Sequence, residues 1–179
     1  LCLGKGVEIV ESKEEALRVL EDILKHKKFG KEGDKVVIEE FLRGTEASLL
    51  CFVSGNKLIP MESAKDYKKA YDNDEGPNTG GVGAFSPSPL FTEGLRKNIR
   101  EEILSRIEEG LEKEGLNYKG ILYIGLMVEE EKAKVLEFNA RFGDPETEVL
   151  LPRLESDIVD LFLKTIDSTL DPKDLVWKK

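Results

Sequence analysis

Glu137, Asn139 and Arg141 stand two residues apart in the run Glu137-Phe138-Asn139-Ala140-Arg141-Phe142-Gly143-Asp144-Pro145-Glu146, which continues an apolar segment beginning at Ala133. On an extended segment Glu137 and Asn139 point to the same face. Two hard oxygen donors side by side suit Mg²⁺, which takes one or two protein oxygens and leaves its other positions to water and phosphate. The planar fork of Arg141 suits phosphate or carboxylate. A metal–nucleotide site is one reading of this run. A polar edge strand running into a turn is the other, since a motif by itself is a hypothesis.

Three further stretches carry chemistry-bearing residues. In Gly4-Lys5-Gly6 the glycines let backbone amides approach a phosphate and Lys5 adds a point charge. It is not a Walker loop, because no Gly-Lys-Ser/Thr opens a helix. A solvent turn with a surface lysine would look the same. Glu39-Glu40-Phe41-Leu42 follows the apolar run Val36-Val37-Ile38. Backbone groups at such a strand end read an adenine edge between apolar neighbours, and Glu46 offers acceptors for ribose hydroxyls. An acidic edge strand kept soluble by its charges is the alternative. Finally, Lys65-Asp66-Tyr67-Lys68-Lys69 and Gly76-Pro77-Asn78-Thr79-Gly80-Gly81-Val82-Gly83 lie within a polar, Gly- and Pro-rich stretch from Ser63 to Pro89. Its small residues expose backbone amides to an anion, and its lysines and Asp66 line a pocket for a phosphorylated polar substrate. A mobile surface loop is the alternative.

The elements that must position these groups follow from periodicity. Val7 to Val10 alternates as a strand. Ser12 and Glu15 form a capping box, and Ala16, Leu17, Val19, Leu20, Ile23 and Leu24 make a helical stripe to about Lys28. Strands are predicted from Val36 to Leu42, from Ala47 to Val53 and from Lys57 to Met61. The last two are joined by a hairpin turn at Ser54-Gly55-Asn56. Ser63 to Pro89 is predicted to be irregular. Thr92 caps a helix from Glu93 to about Glu114, ended by Gly115. Gly120–Val128 and Lys134–Phe138 pair across Glu129-Glu130-Glu131. Pro145–Leu151 and Asp157–Ile166 read as helices, and Leu175 to Trp177 as a strand start. This order predicts an α+β fold with antiparallel sheets rather than alternating βαβ units.

Composition bounds the function. The 179 residues suffice for one domain or two small lobes. A net charge of −9 argues against a broad nucleic-acid surface. No apolar run reaches membrane-spanning length and no secretory signal opens the chain. Cys2 and Cys51 lack metal-ligand spacing and read as reduced thiols of a cytoplasmic protein. His26 sits in a solvated basic patch. The missing initial Met reads as a piece of a longer protein.

The order Gly-Lys-Gly-Val, Val-Ile-Glu-Glu-Phe-Leu, Gly-Pro-Asn-Thr-Gly-Gly-Val-Gly-Ala and Leu-Glu-Phe-Asn-Ala-Arg-Phe-Gly-Asp-Pro-Glu-Thr resembles the phosphoribosylamine–glycine ligases (glycinamide ribonucleotide synthetases) of the ATP-grasp superfamily. The resemblance covers nearly the whole chain. It implies an ATP-grasp fold in which two α+β lobes hold ATP between them. Residues 1–62 form a nucleotide-covering lobe. Residues 63–179 form a lobe with a substrate loop at 63–91 and a metal site at 136–147. It implies that Lys5 and Gly6 meet the phosphates, Glu40, Phe41 and Leu42 the adenine, and Glu46 the ribose. Glu137 and Asn139 match the Mg²⁺ ligands (Mn²⁺ as a substitute), and Arg141 the catalytic arginine at the transferred phosphate. Asp66, Asn78, Thr79, Gly80, Gly81 and Gly83 match the pocket for phosphoribosylamine and glycine.

The implied reaction belongs to purine synthesis. ATP activates glycine as glycyl phosphate, and 5-phosphoribosylamine then displaces phosphate. The implied protein is a cytoplasmic monomer that contacts neither nucleic acid nor membrane. Two departures stand out. The strand Gly120–Val128 carries no further carboxylate ligand, and Val82 stands where the family has Met. The resemblance also implies a domain before Leu1 and a region after Lys179, so that the isolated piece is a poor catalyst. Another ATP-grasp carboxylate–amine ligase and a nucleotide-binding fragment without turnover are the alternatives.

Overall fold

A computed structural model describes residues 6–71 and 75–178. Contacts divide the chain into two compact units, Leu1–Leu42 and Arg43–Lys179. The lobe boundary expected after residue 62 differs from this division, because the strands at 45–60 join the sheet of the second unit.

The first unit is built on α1 (Lys13–Leu24). Ser12 caps it by accepting from Glu15 N at 3.2 Å, while the Glu15 carboxylate accepts from Glu11 N at 3.0 Å. Ile23 is buried, and the missing Cβ of Gly33 lets the following 3₁₀ turn, Gly30–Asp34, close against it. The strands expected at Val7–Val10 and Val36–Leu42 are absent: neither segment joins a ladder among the described residues. Alternation marks a face, but a strand also needs a hydrogen-bonding partner. Val37 and Ile38 are each 80% exposed.

The second unit holds a four-stranded antiparallel sheet in the order β2-β1-β5-β6: β1 Thr45–Ser54, β2 Lys57–Pro60, β5 Gly120–Glu129 and β6 Lys132–Asn139. Its faces separate two apolar layers. Ala47, Leu49, Cys51 and Val53 of β1 join Ile124, Leu126 and Val128 of β5 beneath Leu95, Ile99, Ile103 and Leu104. These last come from α2 (Glu93–Ile99) and the π-helical turn Arg100–Leu104 that continues into α3 (Ser105–Lys113). Burial pushes the Cys51 thiol far above its ordinary range, which keeps it inert. On the other face Leu50, Phe52, Ile121 and Tyr123 pack with Leu150 of α4 (Glu146–Leu150) and Leu161 of α5 (Ile158–Asp167). The predicted strand start near Trp177 is an isolated bridge to Leu154.

Ser63 to Pro89 is not the irregular stretch expected. It holds a two-stranded antiparallel ribbon, β3 (Lys65–Tyr71) with β4 (Glu75–Phe85). Its charged residues, Gly and Pro disfavour a strand assignment from sequence. No helix among the described residues is long and apolar enough to cross a membrane.

Candidate functional site

The site is a sheet face of the second unit, and register assembles it in rows. Glu46 of β1 pairs Met127, which pairs Lys134; Ser48 pairs Gly125, which pairs Glu137; Leu50 pairs Tyr123, which pairs Asn139. Residues directly opposite share a face, so Glu46, Ser48, Glu137 and Asn139 all project on the side of the α4–α5 layer.

Glu137 reaches that side because β6 is bulged. Leu126 pairs Val135 and Gly125 pairs Glu137, which leaves Leu136 without a counterpart. Ala133 and Val135 pack into the α2–α3 layer. Without the extra residue, strict alternation would send Glu137 there too. A bulge re-aims side chains in this way. Gly125 completes the arrangement: a Cβ on it would lie 3.1 Å from Glu137 Cγ and 3.5 Å from Tyr123 Cε1. The carboxylate stem of Glu137 therefore crosses the space left by that glycine.

These donors fit a hard divalent cation, which takes one or two protein oxygens and leaves its other positions to phosphate and water: here one carboxylate and one carboxamide share a face. Among the described residues no group of three or more His, Cys, Asp or Glu side chains is placed to hold a metal. Arg141 lies two residues past the end of β6; it is exposed, and its Nη1 donates to Phe142 O at 2.8 Å.

The other candidate residues fall as follows. Lys5 lies outside the described residues, and Gly6 has a positive φ of 87°. Glu40 and Phe41 are exposed and Leu42 is half-buried, all in the first unit. Asp66, on β3, is 7% exposed and pairs Ala84. Gly83 pairs Tyr67, and Asn78 pairs Lys69. Thr79, Gly80, Gly81 and Val82 therefore stand opposite Lys68 alone, in a wide bulge of β4. The glycine-rich run marks the place where the ribbon leaves its ladder.

Sequence reasoning missed the group that ties these parts together. Ser48 Oγ donates to Glu146 Oε1 at 2.6 Å and lies 3.0 Å from the Tyr123 hydroxyl. All three are buried, with Glu146 only 2% exposed. Ser48 also exchanges backbone bonds with Ala64, at 3.1 and 3.3 Å, just before β3. The available signal was small: one serine in the otherwise apolar run Ala47–Val53, and one tyrosine within β5.

An antiparallel sheet between helical layers, with a carboxylate and a carboxamide near the end of its last strand, β6, fits the ATP-grasp class. The family described as phosphoribosylglycinamide synthetase, ATP-grasp (A) domain, matches residues 1–147, and the chain belongs to it. A phosphoribosylamine–glycine ligase of Halalkalibacterium halodurans is 50% identical over 179 residues, covering 99% of this chain and 41% of its own. A trifunctional purine biosynthetic protein adenosine-3 of Gallus gallus is 47% identical over 177 residues, covering 99% of this chain and 18% of its own. The crystal structure of a Thermotoga maritima phosphoribosylamine–glycine ligase superposes with a TM-score of 0.78 at 36% identity, covering 93% of this chain and 42% of that one. The chain thus spans well under half the length of these relatives.

Proposed function

We propose that the protein containing this chain joins glycine to 5-phosphoribosylamine at the expense of ATP, releasing ADP and phosphate. The observation that carries this is the bulge-directed pairing of Glu137 and Asn139 on one sheet face, in a chain of this family. A carboxylate is a poor acceptor for an amine because its oxygen leaves badly. A glycine carboxylate oxygen attacks the γ-phosphorus and ADP departs. The amine nitrogen of phosphoribosylamine then attacks the carbonyl carbon of glycyl phosphate, phosphate leaves, and the nitrogen loses a proton.

The chain's share is positioning and charge neutralisation. Glu137 and Asn139 would hold Mg²⁺, which when bound neutralises phosphate charge and aligns the transferred group. Arg141 offers N–H donors to the phosphoryl oxygens. Lys5 and Gly6 are assigned to the phosphates, Glu40, Phe41 and Leu42 to adenine, and Glu46 to ribose. Asp66 and the bulged segment from Asn78 to Gly83 are assigned to the phosphorylated amine and glycine, where small residues let the backbone approach an anion.

The test is ADP release by the full-length protein, with glycine and phosphoribosylamine omitted in turn. Release that needs both supports the proposal, and release indifferent to either refutes it. On this chain, Mg-ATP should raise the unfolding midpoint. Glu137→Gln should abolish most of that rise.

A further inference from the structure

On the function proposed above, we infer that Ser48 is a positioning residue. Through Glu146 and Tyr123 its hydroxyl sets the Glu137–Asn139 face and the loop carrying Arg141. β1 is buried from Ala47 to Ser54, and a hydroxyl there is tolerated only when bonded. Its single proton goes to Glu146 Oε1, so the Tyr123 hydroxyl donates to Ser48 Oγ in turn. Tyr123, Ser48 and Glu146 form a directed chain ending on a buried carboxylate.

Both ends of that chain act on the metal-bearing segment. Tyr123 is the cross-strand partner of Asn139 and its ring edge borders the space over Gly125 that Glu137 crosses. Glu146 lies against Gly143: a Cβ there would overlap Glu146 Oε2. Gly143 closes the loop from Ala140, so the carboxylate clamps the chain just after Arg141. The backbone of Ser48 meanwhile ties down Ala64, two residues before Asp66. One side chain in the core therefore holds the cation face and the arginine loop in register, at a residue whose backbone anchors the root of the ribbon. Ser48→Ala removes the hydroxyl that donates to Glu146 and accepts from Tyr123, while the Glu146 carboxylate stays buried.

Two measurements on this chain test the inference. The first needs no ligand: backbone hydrogen exchange of the metal-free protein. Ser48→Ala should speed exchange at residues 137–147 by about 10-fold or more relative to wild type, with the amides of β2 and α5 unchanged. Ser48→Thr, which keeps the hydroxyl, should restore protection. Unchanged exchange at 137–147 overturns the inference, and so does uniform acceleration through the whole sheet, which marks a merely structural residue. The second is Mg-ATP affinity by calorimetry, where Ser48→Ala should weaken binding about 10-fold, the low end for partners that orient metal ligands, and Ser48→Thr should bind as wild type. Equal affinity of Ser48→Ala and wild type overturns the inference. Failure of wild type itself to bind Mg-ATP refutes the proposed function instead, and the exchange result then decides whether Ser48 sets this face.

Discussion

Gly125→Ala separates site geometry from folding. The alanine Cβ would sit 3.1 Å from Glu137 Cγ, whereas carbon atoms rest at about 3.5–4.0 Å. Relief requires the Glu137 stem to move by about 0.5 Å or more. That is roughly the tolerance within which a working site must be held, and a misplacement of about 1 Å costs on the order of 100-fold. Mg-ATP affinity should therefore fall between about 10- and 100-fold. Folding should change little. Gly125 is not among the glycines with positive φ, so alanine gains about 0.5–1 kcal/mol from a stiffer unfolded chain, offset by the tight contact. The ligand-free midpoint should stay within about 4 °C of wild type. Calorimetric titration with Mg-ATP beside a ligand-free melt reads both quantities. Wild-type affinity in the variant would refute the placement of Glu137 over Gly125, as would a loss of affinity that merely accompanies a melt lowered by much more than this.

Thr92 Oγ1 accepts from Leu95 N at 3.1 Å and donates to Glu131 at 3.0 Å, so Thr92→Ala should cost about 1 kcal/mol in urea unfolding and Thr92→Ser should recover most of it. Gly44 has a φ of 132°, and a Cβ on it would overlap the Val128 carbonyl; Gly44→Ala should lose about 2 kcal/mol or more, and a neutral result would contradict this close approach of Gly44 to β5. Burial pushes the Glu62 carboxyl up, but the bonds it accepts from Ser63 N and Oγ and from Arg96 outweigh burial and hold it below its ordinary 4.5. Its contribution to stability is therefore complete above the unfolded value and lost as pH falls through the folded one. The midpoint gap between wild type and Glu62→Gln should be widest near neutral pH and close below about pH 4; a gap independent of pH would exclude this.

Local chemistry made much of the second unit legible. Thr92 and Gly115 bound the long helical run as expected, and Ser54-Gly55-Asn56 marked the β1–β2 turn. The pairing of β5 with β6 followed from two apolar runs around an acidic turn. Partners, by contrast, cannot be read from one strand's pattern. Val36 to Leu42 has the residues of a strand but no ladder among the described residues, while the ribbon of β3 and β4 has a ladder without the apolar residues of one. The same holds at the site. Glu137 and Asn139 were visible because two-residue spacing is local. Ser48 stands 98 residues from Glu146 and 75 from Tyr123, and separations of that size leave no periodic trace. The bulge at Leu136 was invisible because its residue type is ordinary.

That bulge makes β6 two strands in one. Up to Val135 the side chains on its inner face answer to the helices beneath, where packing volume governs. From Glu137 onward they answer to the opposite side, where oxygen donors govern. Ala133 and Val135 can be repacked for stability without touching the side that carries Glu137 and Asn139. Removing Leu136 would couple the two sides by rotating an ionisable group into hydrocarbon. In this chain a shift of frame by one residue would carry Glu137 from one face of the sheet to the other.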